Sequence, residues 1–261
     1  MLKSFKTEIN PTEEQKVKIR KTIGTCRFIY NFYLAHNKEL HESGRKFMSS
    51  SQFRVWLNNE YLPSHPECSW IKEAYSKSVT QAVNNGQTAF KRFFNHKSAF
   101  PKFKKKGRSD VKMYFVRNNP KDCLCERHRI KIPSLGWVRI KEKGYIPTTK
   151  DGYVIKSGHV SIKADRYYVS VLIEILDHRI ASNSSEGIGI DLGLKDFAIV
   201  SNGKTYKNIN KSAKLKKLEK KLAREQRSLS RKYENLKKGG STQKRNIQKQ
   251  RLKIQKLHHR I

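Results

Sequence analysis

The acid with the strongest claim to chemistry is Asp191, in the stretch GIGIDLG at residues 187–193. The stretch has the apolar pattern of a short strand, with Ile188 and Ile190 on one face and Gly189 and Asp191 on the other. A carboxylate beside positions without side chains leaves room for a metal or a phosphate. Mg²⁺ prefers carboxylate oxygens, and metal pairs assist phosphodiester hydrolysis. The alternative is an acid that satisfies a turn at the strand end.

Cysteine spacing offers a second candidate site. Cys123 and Cys125 are followed by His128, and these are residue types that bind zinc. Structural zinc needs four ligands and a wider Cys–Cys spacing, so we favour the alternative of two small residues in a turn. With Cys26 and Cys68 the chain has four cysteines. That number is too small for a disulfide framework at this length and fits a reducing cytoplasm.

A basic connector at Phe90–Arg108, FKRFFNHKSAFPKFKKKGR, interleaves aromatic residues with cations. Cations hold phosphates and rings stack on bases or sugars, so the connector predicts a nucleic-acid surface. The alternative is a solvated linker whose phenylalanines anchor it to the core, but the charge of the whole chain favours the first interpretation. The candidate contacts are Lys91, Arg92, Lys97, Lys102, Lys104, Lys105, Lys106 and Arg108.

After Gly203 the sequence predicts two basic helices joined by a turn at Lys237–Thr242. Apolar residues recur at helical spacing, at Leu215, Leu218, Leu222 and Leu229 and then at Ile247, Ile254, Leu257 and Ile261. From Lys204 onward 21 Lys and Arg accompany 3 Glu, a net charge of +18. Solvated helices usually mix signs, so this excess favours contact with phosphates. The candidate contacts are Lys216, Lys220, Arg224, Arg227 and Arg231.

The amino-acid composition limits the classes of ligand that the protein is expected to bind. The 57 Lys and Arg outweigh 22 Asp and Glu, which gives a net charge of +35 over 261 residues. Such an excess indicates a polyanion, either nucleic acid or an anionic membrane surface, and we favour nucleic acid. No apolar run approaches the roughly 20 residues that span a bilayer, and no signal-peptide core follows the first residues. We therefore expect a cytoplasmic, nucleoid-associated protein without membrane or small-molecule partners.

The order of predicted elements is a strand, a helical region and then a set of strands. Met1–Ile9 has a strand pattern, and a helix follows, begun either by Asn10 with Pro11 or by a capping box of Thr12 with Gln15. Further helices are predicted at Ser51–Tyr61 and Ile71–Phe94. Five short strands follow between residues 111 and 176, in which Trp137 is interpreted as core. The simplest topology is a small antiparallel β-barrel with a helical domain inserted after its first strand.

These motifs together resemble the TnpB/OrfB family of insertion-sequence proteins. GIGIDLGLKDFAIVSNG resembles the first RuvC motif of the family, and NPTEEQ followed by CRFIYNFYLA resembles its N-terminal helical region. AFPKFKKKGR resembles its basic connector, and IKIPSLGWVRIKEKGYIP resembles its barrel hairpin. The motifs occur in the family's order and extend over essentially the whole chain.

The resemblance implies an α+β multidomain fold. Residues 1–9 and 110–180 would form a WED-like barrel, and residues 10–109 would form a REC-like helical domain with the basic connector. Residues 181–186 would be a linker, and residues 187–261 would form the first part of a RuvC domain of the RNase H fold with a basic helical hairpin. Members of the family are RNA-guided DNA endonucleases, so the resemblance implies Mg²⁺, DNA and a guide-type structured RNA as ligands.

The sequence departs from the family pattern at the nuclease site. Asp191 matches the first of three metal-binding acids, whereas the second and third belong to segments that these 261 residues do not contain. No Cys-x-x-Cys pair is present for the family's zinc ribbon. We therefore expect this polypeptide alone to bind nucleic acid without cutting it. It would be a truncated transposon-encoded nuclease or, alternatively, a nuclease-dead regulator that binds RNA or DNA; a basic RNA-binding protein unrelated to transposons would leave the ordered motifs unexplained.

Overall fold

The computed structural model describes residues 2–175, 187–240 and 243–261. The chain divides into two compact units, the first of Met1–Ile162 with Arg166–His178 and the second of Lys163–Asp165 with Arg179–Ile261. The fold is α+β, as expected, and consists of an antiparallel sheet with helices in the first unit and a small sheet with a helical hairpin in the second. The predicted linker at residues 181–186 lies outside the described residues.

The first unit begins with strand β1 (Leu2–Asn10) and a long helix α1 (Glu13–Glu42). Of the two predicted starts for α1, the structure has the capping box: the Gln15 amide donates to Thr12 Oγ1, and the Thr12 amide donates to Gln15 Oε1. The Gln15 side chain also donates to the carbonyls of Leu135 and Trp137. The same box therefore sets the start of α1 and ties it to the sheet.

The remaining helices of this unit match the sequence prediction in one case and are shorter in the other. Helix α2 (Ser50–Trp56) continues into a π-helical turn (Leu57–Tyr61), which together match the predicted second helix. A one-turn helix α3 (Leu62–Ser64) and a 3-10 helix (Pro66–Glu73) follow. The predicted third helix was wrong at its start, because Ala74 has extended backbone and α4 covers only Ser76–Phe94.

The first unit contains a six-stranded sheet. Its later strands are β2 (Met113–Val116), β3 (Arg129–Ile132), β4 (Gly136–Ile140), β5 (Val154–Lys163) and β6 (Arg166–Glu174). The order is β2-β5-β6-β1-β4-β3, so β1 lies between two strands that come more than 120 residues later. The helices α1 to α4 therefore lie in the chain between β1 and its partner strands β4 and β6.

Two apolar cores support these elements. One lies on the sheet and contains Ile9, Phe115, Val169 and neighbouring strand residues. The other lies among the helices and contains Tyr33, Phe53, Leu57 and Val83. Trp137 was predicted to be core but is only half-buried, with its ring 4.5 Å from the Arg129 guanidinium. A cation stacked on the indole, rather than apolar packing, covers it.

The second unit has a three-stranded antiparallel sheet and a helical hairpin. The strands are β7 (Ile190–Leu192), β8 (Asp196–Val200) and β9 (Thr205–Lys207). The helices are α5 (Ala213–Lys237) and α6 (Lys244–His258). Ile247, Ile254 and Leu257 are buried as predicted, but Ile261 lies beyond the end of α6 and is exposed. Among the described residues no helix is both long enough and apolar enough to cross a membrane.

Candidate nucleic-acid interface and candidate metal ligand

The predicted contacts on α5 form one continuous stripe. All five side chains are exposed, and their spacing of three or four residues keeps them within an arc of about 80° over about 22 Å of helix. In the described part of the chain none of the five forms an ion pair with an acid. We call Lys216, Lys220, Arg224, Arg227 and Arg231 the α5 stripe. Its unneutralised cations can follow a line of phosphates.

The opposite face of α5 packs on α6 through a buried amide. Gln250 is 4% exposed, and its Nε2 donates to the carbonyl of Glu225 at 3.0 Å and to Glu225 Oε2 at 2.6 Å. Lys232 Nζ donates to Gln250 Oε1 at 3.1 Å. This hydrogen bonding lowers the pKa of the Glu225 carboxyl. Because a buried amide needs its partners, it fixes the register of the hairpin and so the outward face that carries the α5 stripe.

The basic connector presents most of its cations to solvent. Lys91 and Arg92 lie in the last turn of α4, and the rest lie in the irregular segment that follows it. Seven of the eight predicted contacts are exposed, namely Lys91, Arg92, Lys97, Lys102, Lys105, Lys106 and Arg108. The eighth, Lys104, is half-buried. The connector belongs to the first unit and the α5 stripe to the second.

Lys104 is held by the first unit itself. Its Nζ lies 4.3 Å from the centre of the Tyr30 ring, and its amide donates to Asn31 Oδ1 at 2.7 Å. Asn31 Nδ2 in turn donates to the Lys104 carbonyl at 3.0 Å. Burial lowers the pKa of the Lys104 ammonium. The two Asn31 hydrogen bonds fasten the middle of the connector to α1.

Lys104 also lines a polar pocket that the sequence did not reveal. The pocket has a volume of about 210 Å³, and its wall includes Gln81 and Asn85 of α4, Tyr114 of β2 and His159 of β5. Gln81 Nε2 donates to Asn85 Oδ1 at 3.0 Å, and burial lowers the pKa of the His159 imidazole. The i,i+4 spacing of the two amides shows that they share a face of α4. Nothing in the sequence shows that β2 and β5 meet that face.

Asp191 lies in the middle of the three-residue strand β7, whereas the sequence placed it at the end of a strand. It lies opposite Ile199 of β8, while Ile190 and Leu192 lie opposite Val200 and Ala198. Side chains alternate along a strand, so the carboxylate projects to the face opposite to that of Ile190 and Leu192. Asp191 is exposed, which leaves its oxygens accessible to a cation or to a phosphodiester-bound metal.

The glycines around Asp191 act differently from the expectation. A Cβ on Gly189 would lie 3.6 Å from Ser201 Cβ, an ordinary contact, so the absence of a side chain there is not required by the fold. A Cβ on Gly193 would lie 3.1 Å from the Asp196 carbonyl oxygen. A side chain at Gly193 would therefore require that carbonyl to shift by a few tenths of an ångström, whereas Gly189 has room for a Cβ.

The described residues do not complete a metal site. No group of three or more His, Cys, Asp or Glu side chains lies close enough to hold a metal ion within residues 2–175, 187–240 and 243–261. The described residues therefore do not fit a complete two-metal centre around Asp191. Cys123 and Cys125 are buried in the sheet core, where burial raises the pKa of each thiol to about 12. That burial opposes the thiolate that zinc requires.

Family models match both ends of the chain. The OrfB model described as "Helix-turn-helix domain" matches residues 1–46, and the OrfB model described as "Probable transposase" matches residues 159–261. In the described part of the first match, Leu2–Lys46, the structure has β1 and the single helix α1 rather than two helices separated by a turn. The second match contains Asp191 and the α5 stripe.

Curated relatives agree with these matches. The chain is 32% identical over 224 residues to "Putative RNA-guided DNA endonuclease InsQ" of Escherichia coli (strain K12), which covers 85% of this chain and 52% of that protein. It is 27% identical over 218 residues to a "Putative RNA-guided DNA endonuclease" of Streptomyces pristinaespiralis, which covers 79% and 50%. The chain thus spans about half the length of the curated relatives it matches.

A solved structure is also similar. It is titled "Cryo-EM structure of CRISPR-Cas12f Ternary Complex", and the match has a TM-score of 0.43 and 13% identity over 90% of this chain and 55% of the other. The family models and the curated relatives, with the motifs in the same order, identify the protein. The chain belongs to the TnpB/OrfB family of insertion-sequence transposases and RNA-guided DNA endonucleases.

Proposed function

We propose that this chain holds a structured guide RNA and its DNA target for an RNA-guided endonuclease, and that Asp191 supplies one carboxylate of the Mg²⁺ site. In RNA-guided systems base pairing reads the sequence while the protein binds the phosphate backbone and recognises shape. A protein with that task needs extended cationic surfaces more than it needs base-reading side chains. The chain offers two such surfaces, the basic connector and the α5 stripe.

The domain assignment follows the family. The six-stranded sheet would be the WED-like barrel, formed by residues 1–9 and 110–180, and the helices of residues 10–109 would be the REC-like domain. Residues 187–261 would be the first part of the RuvC domain, with β7 as the strand that carries its first acid. Asp191 would hold a divalent ion through one carboxylate, and the chemistry that such an ion supplies is polarisation of a phosphate and activation of water.

The observation that carries the proposal is the unneutralised α5 stripe. Its five cations project from one face of a helix whose other face is fixed by Gln250 and by the buried residues of α6. A merely soluble helix would mix acids into that face. The stripe therefore predicts a large, salt-dependent contribution to nucleic-acid affinity.

The test replaces the five stripe residues with glutamine and measures binding to a structured RNA and to duplex DNA as the salt concentration is raised. Each phosphate contact that is lost should lower the slope of log affinity against log salt by about 0.7 to 0.9. We expect the variant, which loses five cations, to lose about 3.5 to 4.5 units of slope.

A matched control removes the same net charge elsewhere. Lys21, Lys38, Lys112, Lys141 and Lys156 each lie in an ion pair with an acid. Their replacement with glutamine should leave the slope within about 1 unit of wild type, because paired cations release few counterions from a nucleic acid. Equal losses in the two variants would show that net charge alone drives binding and would contradict the role of the stripe.

A further inference from the structure

A cluster of phenylalanine rings lies at the C-terminal end of α4. The rings of Phe47, Phe90, Phe93, Phe94 and Phe100 have centroid distances of 5.2 to 6.0 Å between neighbours. We call these five the phenylalanine cluster. Phe94 is 57% exposed, Phe100 46% and Phe47 39%, whereas Phe90 is buried. Large apolar side chains that remain exposed together mark a binding surface.

The backbone holds these rings in place. Helix α4 ends at Phe94 with Asn95 as its C-cap, His96 has a positive φ of 55°, and the Lys97 amide donates to the Arg92 carbonyl at 2.8 Å. The chain therefore turns back on the helix end, so that Phe100 packs edge-on against Phe90 at 5.7 Å. Phe90 also contacts Tyr33 of the helical core at 6.2 Å. The exposed rings thus rest on a rigid base and are not free to collapse into the core.

The surroundings of the cluster are cationic. From Ala74 to Ser109 the chain contains nine Lys and Arg and no Asp or Glu. Lys91, Arg92, Lys97 and Lys102 are exposed and lie within three residues of a ring of the cluster along the chain. An apolar partner protein would gain nothing from so many unpaired cations, whereas a phosphate backbone would be attracted by them.

We infer that the phenylalanine cluster binds unpaired bases of a single-stranded nucleic acid, with Phe94 and Phe100 as stacking rings and the neighbouring cations on the phosphates. The inference rests on the proposed function and adds that the nucleic acid bound at this cluster is single-stranded. A phenyl ring has no hydrogen-bonding group and can bind only the flat face of a base. Inside a duplex those faces are closed by stacking, so a displaced strand or an unpaired RNA segment is the ligand that fits.

The experiment uses the full chain with fluorescein-labelled oligothymidine and a blunt duplex of equal length. The double variant Phe94→Leu with Phe100→Leu keeps the apolar bulk and loses the rings, and Phe94→Tyr with Phe100→Tyr keeps the rings. We expect the leucine variant to bind oligothymidine at least tenfold more weakly, because each base stacked on a ring contributes about five- to 150-fold. Its affinity for the duplex should stay within about twofold, and the tyrosine variant should match wild type.

A second readout follows stacking directly. An oligonucleotide that carries 2-aminopurine loses fluorescence when the base stacks on a ring, so wild type and the tyrosine variant should quench it and the leucine variant should not. Equal single-strand affinity and equal quenching in wild type and the leucine variant would overturn the inference, even if both bind the duplex. If wild type binds neither probe, the proposed function fails and the inference fails with it.

Discussion

Lys104 and Lys105 are neighbours in the chain with different surroundings. Lys104 is half-buried with its ammonium over the Tyr30 ring, and its backbone is fixed by Asn31. Lys105 is exposed, and its amide donates to Ser109 Oγ at 2.9 Å. The first side chain therefore stabilises the fold of the connector, and the second is free to meet a phosphate.

We predict that alanine at Lys104 affects stability and that alanine at Lys105 affects nucleic-acid binding. Lys104→Ala should lower the free energy of unfolding by about 1 kcal/mol, because it removes a partly desolvated cation–π contact. Lys105→Ala should leave stability unchanged and lower the salt slope of nucleic-acid binding by about 1. Chemical denaturation and salt-dependent fluorescence anisotropy measure the two quantities. A loss of stability in Lys105→Ala, with none in Lys104→Ala, would contradict this division.

At the level of residues the sequence predicts the secondary structure in which a residue lies better than it predicts the residues that it contacts. The capping box was predicted from the spacing of Thr12 and Gln15 because its two hydrogen bonds are local. Lys104 could not be distinguished from Lys105, because its contact with Tyr30 joins residues more than seventy positions apart. Asp191 was placed on a strand by alternation alone. Whether other acids lie near Asp191 depends on tertiary contacts, which local sequence patterns do not predict.

Among the elements, α1 and α4 are in close contact at Gly86. A Cβ on Gly86 would lie 2.5 Å from Tyr33 Cδ1, a distance that atoms do not tolerate. Tyr33 is fully buried, and its hydroxyl donates to the Met48 carbonyl at 2.9 Å. The ring is thus held between the helices and cannot move away without breaking that bond. Gly86 permits the close contact that holds the helical core together.

Gly86→Ala should therefore destabilise the protein by about 1 to 3 kcal/mol, the usual cost of overpacking. Gly24 is a matched control in the interior of α1, where a Cβ would meet no atom within 4 Å. Gly24→Ala should stabilise by about 0.5 to 1 kcal/mol, because alanine has the higher helix propensity. Thermal unfolding of both variants tests the pair. If both substitutions raised the melting temperature, or both lowered it, the close contact at Gly86 would not determine the packing of the two helices.

The elements themselves were mostly predictable. The five later strands and the two basic helices were found from alternation and helical spacing, which are properties of a single segment. The third helix was placed too early, because Pro66–Glu73 carries helical composition but winds as a 3-10 helix before the extended Ala74. The order of strands could be inferred only in part: β1 needed partners among later strands, but its position between β4 and β6 depends on tertiary packing.

For the whole molecule, the net charge and the family membership both indicate a nucleic-acid ligand. The net charge of +35 indicates a polyanionic ligand, and the matched family consists of proteins described as transposases and RNA-guided endonucleases. The second unit exposes apolar side chains on its small sheet, among them Ile190, Leu192 and Phe197. Large apolar side chains that are exposed together mark an interaction surface.

The central claim is that these 261 residues bind a guide RNA and its target, and that Asp191 alone cannot assemble the nuclease site. The most direct measurement incubates the purified chain with Mg²⁺, the RNA that copurifies with it and a plasmid that carries the complementary sequence beside randomised flanking bases. We predict that the complex forms and that the plasmid stays intact, with Asp191→Asn and the neighbouring-strand control Asp196→Asn indistinguishable from wild type. Mg²⁺-dependent cutting that is lost in Asp191→Asn and kept in Asp196→Asn would contradict the claim.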